Sequence, residues 1–210
     1  MPIKKIIDIS WPVTPDMTAY KDKKEVAFKH VATFQQDRYR KSTITLSAHA
    51  GTHVDAPSHF VEQGVTIDQV ELAQLMGPCV VLDMTQWSEK ITAGDLEKHD
   101  IKKDAIVLLK TKNSFFSATA PFDPNFVYID LTAAQYLADK QIKAIGIDYI
   151  GIEHHQPGHE THEIFFKNGV AIIEGLRLED VEQGKYFFCC LPLKVIGLDG
   201  TPARAILLVE

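Results

Sequence analysis

The chain has 210 residues, 45% of them hydrophobic, which is enough to bury a core and predicts a single domain over residues 1–210, with two smaller domains as the alternative. Its 22 basic and 28 acidic residues give a formal net charge of −6, and no run of lysine or arginine is long enough to follow a phosphate backbone. The composition therefore argues against nucleic acid as a partner.

The amino end lacks the pattern of a secretory signal. Asp8 interrupts the opening MPIKKIIDIS before an apolar stretch of about 7 to 15 residues has formed. No apolar run approaches the ~20 residues of a membrane span. We therefore expect a cytoplasmic protein without a membrane partner.

Nine short runs of β-branched or aromatic residues predict strands along the whole chain. In chain order they are KKIIDI, VAFKHVATF, STITLSA, CVVLDM, AIVLLK, AIGIDY, VAIIE, YFFCCL and ARAILLV. Three segments have helical patterns. The first covers residues 68–76, the second begins with a capping box formed by Thr92 and Asp95, and the third covers residues 131–140. Strands outnumber helices and dominate the amino-terminal part, which favours an α+β fold with mixed sheets and flanking helices.

Two further features bear on chemistry. Cys79, Cys189 and Cys190 lie in strand-like apolar runs without C-x-x-C spacing, so we interpret them as buried small hydrophobic residues. Any metal here should then have nitrogen and oxygen ligands.

The segment 112–128, KNSFFSATAPFDPNFVY, has four phenylalanines and no periodicity, and it either borders a pocket or covers a core.

The segment 49–60, HAGTHVDAPSHF, places three histidines and an aspartate within twelve positions. A helix is disfavoured here by Gly51, by two β-branched residues and by a proline that follows closely. In an extended strand His53 and Asp55 point to the same side, and a bend at Gly51 swings His49 toward them. Crowded titratable groups are costly unless a positive charge binds them, so the pattern favours a metal site, with a solvated loop as the alternative.

A second histidine-rich stretch covers residues 151–176, GIEHHQPGHETHEIFFKNGVAIIEGL. Glu174 interrupts an apolar run in which strand alternation places it among aliphatic side chains. A buried carboxylate is costly unless it is paired, so Glu174 is either half of a salt bridge or a ligand of a cation. His162, in a predicted helical turn, is its best-placed companion. The roles of His154, His155 and His159 stay open.

These residues match a known signature. The pattern H-x-G-T-H-x-D-x-P-x-H is typical of the cyclase family of metal-dependent hydrolases, which includes bacterial kynurenine formamidases and isatin hydrolases. Its fixed positions are matched by His49, Gly51, Thr52, His53, Asp55, Pro57 and His59. The opening DISWPVTPDMTAYKDK, the stretch GVAIIEGLRLEDV and the closing LPLKVIGLDGTPARAILL also resemble family segments, so the resemblance covers nearly the whole chain.

The resemblance implies a swivelling β/β/α fold, usually assembled as a homodimer or larger oligomer, with two divalent ions. In kynurenine formamidases the second pair of ligands is a histidine and a glutamate twelve positions apart, which is the separation of His162 and Glu174. By this analogy His49, His53 and Asp55 bind the first ion and His162 binds the second. Asp55 and Glu174 bridge the two. Zinc fits these nitrogen and oxygen donors, and manganese fits them as well.

The same analogy makes His59 the general acid and base. Its unperturbed pKa near 6.5 suits a proton shuttle, and the alternatives are a ligand or a residue that orients another group. Bacterial kynurenine formamidases stack the substrate ring on a tryptophan in the amino-terminal turn. Tyr20 stands at the equivalent position, with Lys21 in place of the expected proline.

The implied function is hydrolysis of an amide or formamide C–N bond by a metal-bound hydroxide. Arylformamidase activity, which converts N-formyl-L-kynurenine to L-kynurenine and formate, is the first hypothesis, and a small aromatic amide is the expected substrate. Hydrolysis of a cyclic amide such as isatin is the alternative within the enzyme class. Outside it, the alternative is a non-catalytic metal-binding protein, although structural zinc sites are usually closed and rich in cysteine.

Overall fold

The computed structural model describes residues 3–209, and this part of the chain forms twelve strands and four short helices. The strands are β1 (Lys5–Asp8), β2 (Ala27–Ala32), β3 (Lys41–Thr45), β4 (His53–Asp55), β5 (Met76–Asp83), β6 (Lys90–Ile91), β7 (Ile106–Lys110), β8 (Tyr128–Ile129), β9 (Ala144–Ile147), β10 (Ala171–Glu174), β11 (Gly184–Pro192) and β12 (Gly200–Val209). The helices are α1 (Phe34–Asp37), α2 (Ala93–Leu96), α3 (Leu131–Asp139) and α4 (Glu160–Lys167). Among residues 3–209, none of these helices has the length and apolar character needed to cross a bilayer.

Eight strands form one mixed sheet in the order β1-β12-β11-β5-β7-β9-β10-β4, and β4 also pairs with β12. The long strand β12 serves three neighbours: residues 206–209 pair with β1, residues 203–208 with β11 and residues 200–202 with β4. The sheet therefore closes into a barrel in which β4 joins β10 to β12. The strands β2 and β3 form a separate hairpin.

Alternation along the central strands divides the core into two clusters. In β7, Ile106 and Leu108 belong to the cluster inside the barrel, whereas Val107 and Leu109 face the helices. Buried side chains of α3 and α4, such as Phe165, fill the helix side. Because β7 is buried on both faces, its sequence is a continuous apolar run rather than an alternating one.

Most of the predicted elements are confirmed. Each of the nine predicted runs contains a strand, and the helix predicted over 131–140 is observed as α3, which begins after the N-cap Asp130. The capping box of Thr92 and Asp95 is present at the start of α2. The predicted class, mixed sheets with flanking helices, is confirmed.

The helix predicted over 68–76 is wrong. The chain forms 3₁₀ turns at Ile67–Gln69 and Leu72–Gln74 with extended backbone between them, and β5 already begins at Met76. Leu75 is buried while Met76 is 40% exposed, so the segment has no continuous apolar face that a helix would bury. Met76, at the end of the predicted helix, instead pairs with Cys189 of β11 as the first residue of β5.

The loop over 112–128 covers a core and also borders a cavity. Phe126 is buried in an aromatic cluster, and Phe122 packs against that cluster and lines a cavity. Asp148, buried after β9, accepts hydrogen bonds from the backbone N–H groups of Thr111 and Ser114 at 2.6 and 3.0 Å. These bonds hold the start of the loop against the end of β9.

The cysteines lie in or beside the barrel. Cys79 and Cys190 are buried as predicted, whereas Cys189 is partly exposed. Burial raises the pKa of the Cys79 thiol to about 12, which keeps it protonated at neutral pH.

Candidate metal centre

Three of the predicted ligands converge where β4 pairs with β10. His53 and Asp55 alternate with Val54 along β4, so their side chains leave the same face. Glu174, the last residue of β10, is directly opposite His53 in the antiparallel register. His53, Asp55 and Glu174 are 1, 2 and 5% exposed, and one donor atom from each lies within 4.8 Å of the other two. Strand pairing thus builds a buried cluster of one imidazole and two carboxylates.

Two glycines permit this close approach. Gly51 and Gly175 have φ angles of +65° and +70°, and a Cβ atom on Gly175 would lie 2.2 Å from the carbonyl oxygen of Gly51. The hydroxyl of Thr52 donates to the carbonyl of Gly175 at 2.5 Å and accepts the backbone N–H of Trp11 at 2.7 Å. The turn before β4 is therefore pressed against the turn after β10, and the predicted bend at Gly51 is confirmed.

His49 and His162 join the cluster from a loop and from a helix. The Nδ1 atom of His49 lies 2.8 Å from Oδ1 of Asp55. The Nε2 atom of His162, which is buried in α4, lies 3.5 Å from Oδ2 of Asp55 and 3.5 Å from Oε1 of Glu174. On the other side, Nε2 of His53 lies 3.3 Å from Oδ1 of Asp55 and 3.5 Å from Oε2 of Glu174. Each carboxylate thus presents one oxygen to His53 and the other to His162.

His53 has a buried ring nitrogen without a hydrogen-bond partner among the described residues. Its Nδ1–H donates to the carbonyl of Gly51 at 2.8 Å, which leaves Nε2 facing Asp55 and Glu174 outside hydrogen-bond geometry. Such an atom is costly unless something binds it. A divalent cation at this point would accept the lone pair of Nε2 and offset both negative charges, so the donor set fits a metal ion.

The charges of the cluster attract further positive charge. Burial alone acts to raise the pKa of Asp55, but the charge of His53 and hydrogen bonds from the imidazoles hold it well below its ordinary value. Burial opposes protonation of His53 and His162, yet the carboxylates prevail and raise the pKa of His53 to about 10 and that of His162 well above its usual value. A metal ion that binds here must displace these protons.

His59 lies beside this cluster. It ends the 3₁₀ turn Pro57–His59, and its ring stacks on that of His49 with the centroids 4.0 Å apart. One donor atom each of His49, Asp55 and His59 lie within 4.8 Å of one another, and the side chain of His59 is 27% exposed. Burial lowers the pKa of His59, which favours the neutral ring at neutral pH. The position is compatible with proton transfer and with metal ligation, the two main roles that the sequence left open.

Two acidic residues that the sequence analysis did not single out contact these histidines. Oε2 of Glu153 lies 3.0 Å from Nδ1 of His162, and the other oxygen of Glu153 pairs with His159. Oδ2 of Asp199 lies 2.9 Å from Nε2 of His49. Neither acid interrupts an apolar run, so the sequence carries no local signal for them and the fold alone reveals their contacts.

Tyr20 lies on the wall of a cavity of about 560 Å³. Its side chain is 49% exposed and meets Phe122 edge-on with the ring centroids 5.0 Å apart. The loop histidines His154, His155 and His159 line the same cavity. Because His159 pairs with Glu153, which in turn contacts His162, this cavity adjoins the metal-binding candidates.

The Cyclase family model, described as "Putative cyclase", matches residues 7–154. This range is more than half of the chain and includes the whole signature from His49 to His59. The chain belongs to the cyclase family.

Relatives of this cyclase-family chain align over nearly its whole length. Cyclase-like protein 1 of Arabidopsis thaliana is 32% identical over 217 residues, which cover 97% of this chain and 85% of the relative. A kynurenine formamidase of Bacillus cereus is 28% identical over 205 residues, which cover 96% of each chain.

Solved structures share the fold. One, described as a potential metal-dependent hydrolase with cyclase activity, is 44% identical with a TM-score of 0.89, and the match covers 98% of each chain. An isatin hydrolase bound to the product analogue thioisatinate is 20% identical with a TM-score of 0.87, over 98% of this chain and 92% of the other. The family resemblance and the fold that it implies are therefore confirmed.

Proposed function

We propose that this chain is a metal-dependent hydrolase of an amide or formamide C–N bond, with N-formyl-L-kynurenine as the preferred substrate. The observation that carries the proposal is the convergence of three histidines and two carboxylates around a buried nitrogen of His53 that has no hydrogen-bond partner within residues 3–209. Likeness to a kynurenine formamidase at 28% identity supports the choice of a formamide. The fold shared with a potential metal-dependent hydrolase supports the use of a metal.

The donor atoms divide into two groups. His49, His53 and Asp55 would hold one ion and His162 a second, with Asp55 and Glu174 shared, because each of these carboxylates has one oxygen toward His53 and one toward His162. When bound, such an ion polarises a carbonyl oxygen and lowers the pKa of water. Zinc and manganese both suit imidazole and carboxylate donors.

His59 would supply the proton that the reaction needs. The nitrogen of an amide leaves readily only after it is protonated, and a neutral imidazole can take a proton from the attacking water and pass it to that nitrogen. The lowered pKa of His59 and its partial exposure beside His49 fit this role. His59 would thus act as base in the first half of the reaction and as acid in the second.

The ring of an aromatic substrate would lie in the cavity beside Tyr20. Tyr20 and Phe122 offer an aromatic wall, and Tyr20 is 49% exposed. Burial of an aryl ring against such a wall gives binding energy, while the residues around His162 meet the polar end of the substrate.

The direct test is an assay of the purified chain with N-formyl-L-kynurenine and, separately, with isatin, before and after chelator treatment. Formate release that stops with chelator and returns with zinc or manganese is the expected result. Ring opening of isatin without formate release would replace the formamide by a cyclic amide as substrate. A chain that binds metal but hydrolyses neither compound would favour a non-catalytic metal-binding protein.

A further inference from the structure

One carboxylate oxygen faces two histidines of the proposed centre. Oδ2 of Asp199 lies 2.9 Å from Nε2 of His49, in hydrogen-bond geometry, and 3.4 Å from Nδ1 of His59. Because the rings of His49 and His59 are stacked, their edges lie close enough for the same oxygen to reach both. The acid therefore contacts a proposed metal ligand and the proposed general acid and base together.

The backbone that carries Asp199 is held in place. The N–H of Ala56, the residue after β4, donates to the carbonyl of Asp199 at 2.9 Å, and the next residue, Gly200, pairs with Asp55 across β12 and β4. A Cβ atom on Gly200 would lie 2.9 Å from Cε1 of His49, so this glycine leaves room for the histidine ring against the strand. These backbone contacts place the carboxylate of Asp199, immediately before β12, beside the two rings.

The hydrogen bond fixes which nitrogen of His49 is free. A carboxylate that accepts the Nε2–H of His49 leaves Nδ1, which lies 2.8 Å from Oδ1 of Asp55, as the atom available to a cation. A second carboxylate behind a ligating imidazole orients the ring and increases its basicity. The 3.4 Å contact with His59 is longer than a hydrogen bond, but it favours a ring orientation in which Nδ1 faces the acid and Nε2 is free to exchange protons.

We propose that Asp199 is a positioning residue that sets the ring orientation of both His49 and His59 through one oxygen. The proposal rests on the proposed function, since it takes His49 as a ligand and His59 as the proton carrier. A positioning role makes a prediction that a merely structural role does not. Replacing Asp199 should weaken metal binding, and it should lower turnover by an amount that depends on the leaving group.

The test compares Asp199→Ala and Asp199→Asn with the matched control Asp68→Asn, all in the full chain. Asp68 belongs to the same region, because its Oδ1 accepts the N–H of Gly197 at 3.0 Å, but it has no part in the proposed centre. The dissociation constant for zinc is measured by competition with a chromogenic chelator. We expect Asp199→Ala to weaken zinc binding about tenfold and Asp199→Asn less, since asparagine can still accept from His49, with Asp68→Asn within about twofold of wild type.

The second readout is the leaving-group dependence of the reaction. For N-formyl-L-kynurenine, kcat of Asp199→Ala should fall about tenfold or more with KM changed less than about twofold. For 4-nitrophenyl acetate the fall should be smaller, because the phenolate leaves without a proton. An equal fall in kcat with both substrates would show that Asp199 does not act through His59.

The remaining outcomes separate the inference from the proposed function. Wild-type zinc affinity in Asp199→Ala, or an equal loss in Asp68→Asn, overturns the role of Asp199 while the proposed function stands. A wild-type chain that binds neither zinc nor manganese overturns the proposed function. If the alanine variant does not fold, Asp199→Asn, which keeps the shape of the side chain, provides the same comparison.

Discussion

At the scale of single residues, the centre depends on two buried carboxylates. Asp55 and Glu174 are almost completely buried, and His53 and His162 each lie between one oxygen of one and one oxygen of the other. Burial of two like charges side by side is costly unless cations balance them. A divalent ion converts this cost into attraction, so the affinity for metal should follow the number of carboxylates.

The first prediction concerns Glu174. The substitution Glu174→Gln keeps the shape of the side chain and removes one negative charge, so the dissociation constant for zinc should rise at least about a hundredfold. Competition with a chromogenic chelator measures it. Glu179→Gln is the matched control, because Glu179 is an exposed acid five positions further along the chain, and it should stay within about twofold of wild type. Unchanged zinc affinity in Glu174→Gln would mean that Glu174 is not a ligand.

The second prediction concerns His59. His59→Ala should lower kcat for the formamide about a hundredfold or more, because it removes the group proposed to protonate the leaving nitrogen, while the bound metal stays the same. Activity and metal content are measured on the same sample. His30→Ala, which alters an exposed histidine on β2, serves as control. Loss of metal together with activity would make His59 a ligand instead.

Residue patterns predicted part of this site, and the reason differs from residue to residue. Alternation predicts that His53 and Asp55 share a face, and the charge inside an apolar run marks Glu174. A predicted helical turn makes His162 the best-placed companion of Glu174, and the family resemblance adds that the two are twelve positions apart. Asp199 could not be predicted, because its partner His49 lies 150 positions away and only the register of β12 against β4 joins them.

At the scale of elements, the contact between the turns at Gly51 and Gly175 sets the distance from β4 to β10. Both glycines have positive φ angles and their backbones touch, so neither a side chain nor an ordinary φ fits there. The hydroxyl of Thr52 closes the contact by donating to Gly175. The positions of the proposed ligands on the two strands therefore depend on a contact between two glycines that are not proposed ligands themselves.

The third prediction tests this crossing. Gly175→Ala should lower the free energy of unfolding by at least about 3 kcal/mol, since the new Cβ meets the carbonyl of Gly51 as well as an unfavourable φ. Gly169→Ala is the matched control: its φ of +71° is nearly the same, but no atom of the described residues outside its chain neighbours lies within 4 Å of the added atom, so it should cost about 1 kcal/mol. Urea unfolding of both variants measures the difference, and equal losses would show that the close contact has no role.

The strand predictions succeeded for buried and exposed strands alike, whereas the helix prediction over residues 68–76 failed. The apolar runs of β7, β9 and β10 are continuous because these strands are buried over nearly their whole length. Residues 68–76 contain helix-forming residues, but only part of the segment is buried, and 3₁₀ turns form there. Local sequence also says nothing about closure of the barrel, because β4 pairs with strands more than a hundred positions away.

At the scale of the whole molecule, closure of the barrel gathers residues from distant parts of the chain. The strand β4 carries His53 and Asp55, β10 brings Glu174, and α4 adds His162 above the same strands. An ion held by all of them would link the amino-terminal and carboxyl-terminal parts of the chain. Metal binding should therefore be coupled to folding, since the unfolded chain does not hold these donors together.

The most direct measurement is the metal content of the purified chain, determined by elemental analysis as isolated, after dialysis against a chelator and after zinc is added back. We expect one or two divalent ions per chain, removed by the chelator and restored by zinc, with less retained in Glu174→Gln. A chain that contains no metal as isolated and takes up none from added zinc or manganese would contradict the proposed centre, and with it the proposed hydrolase.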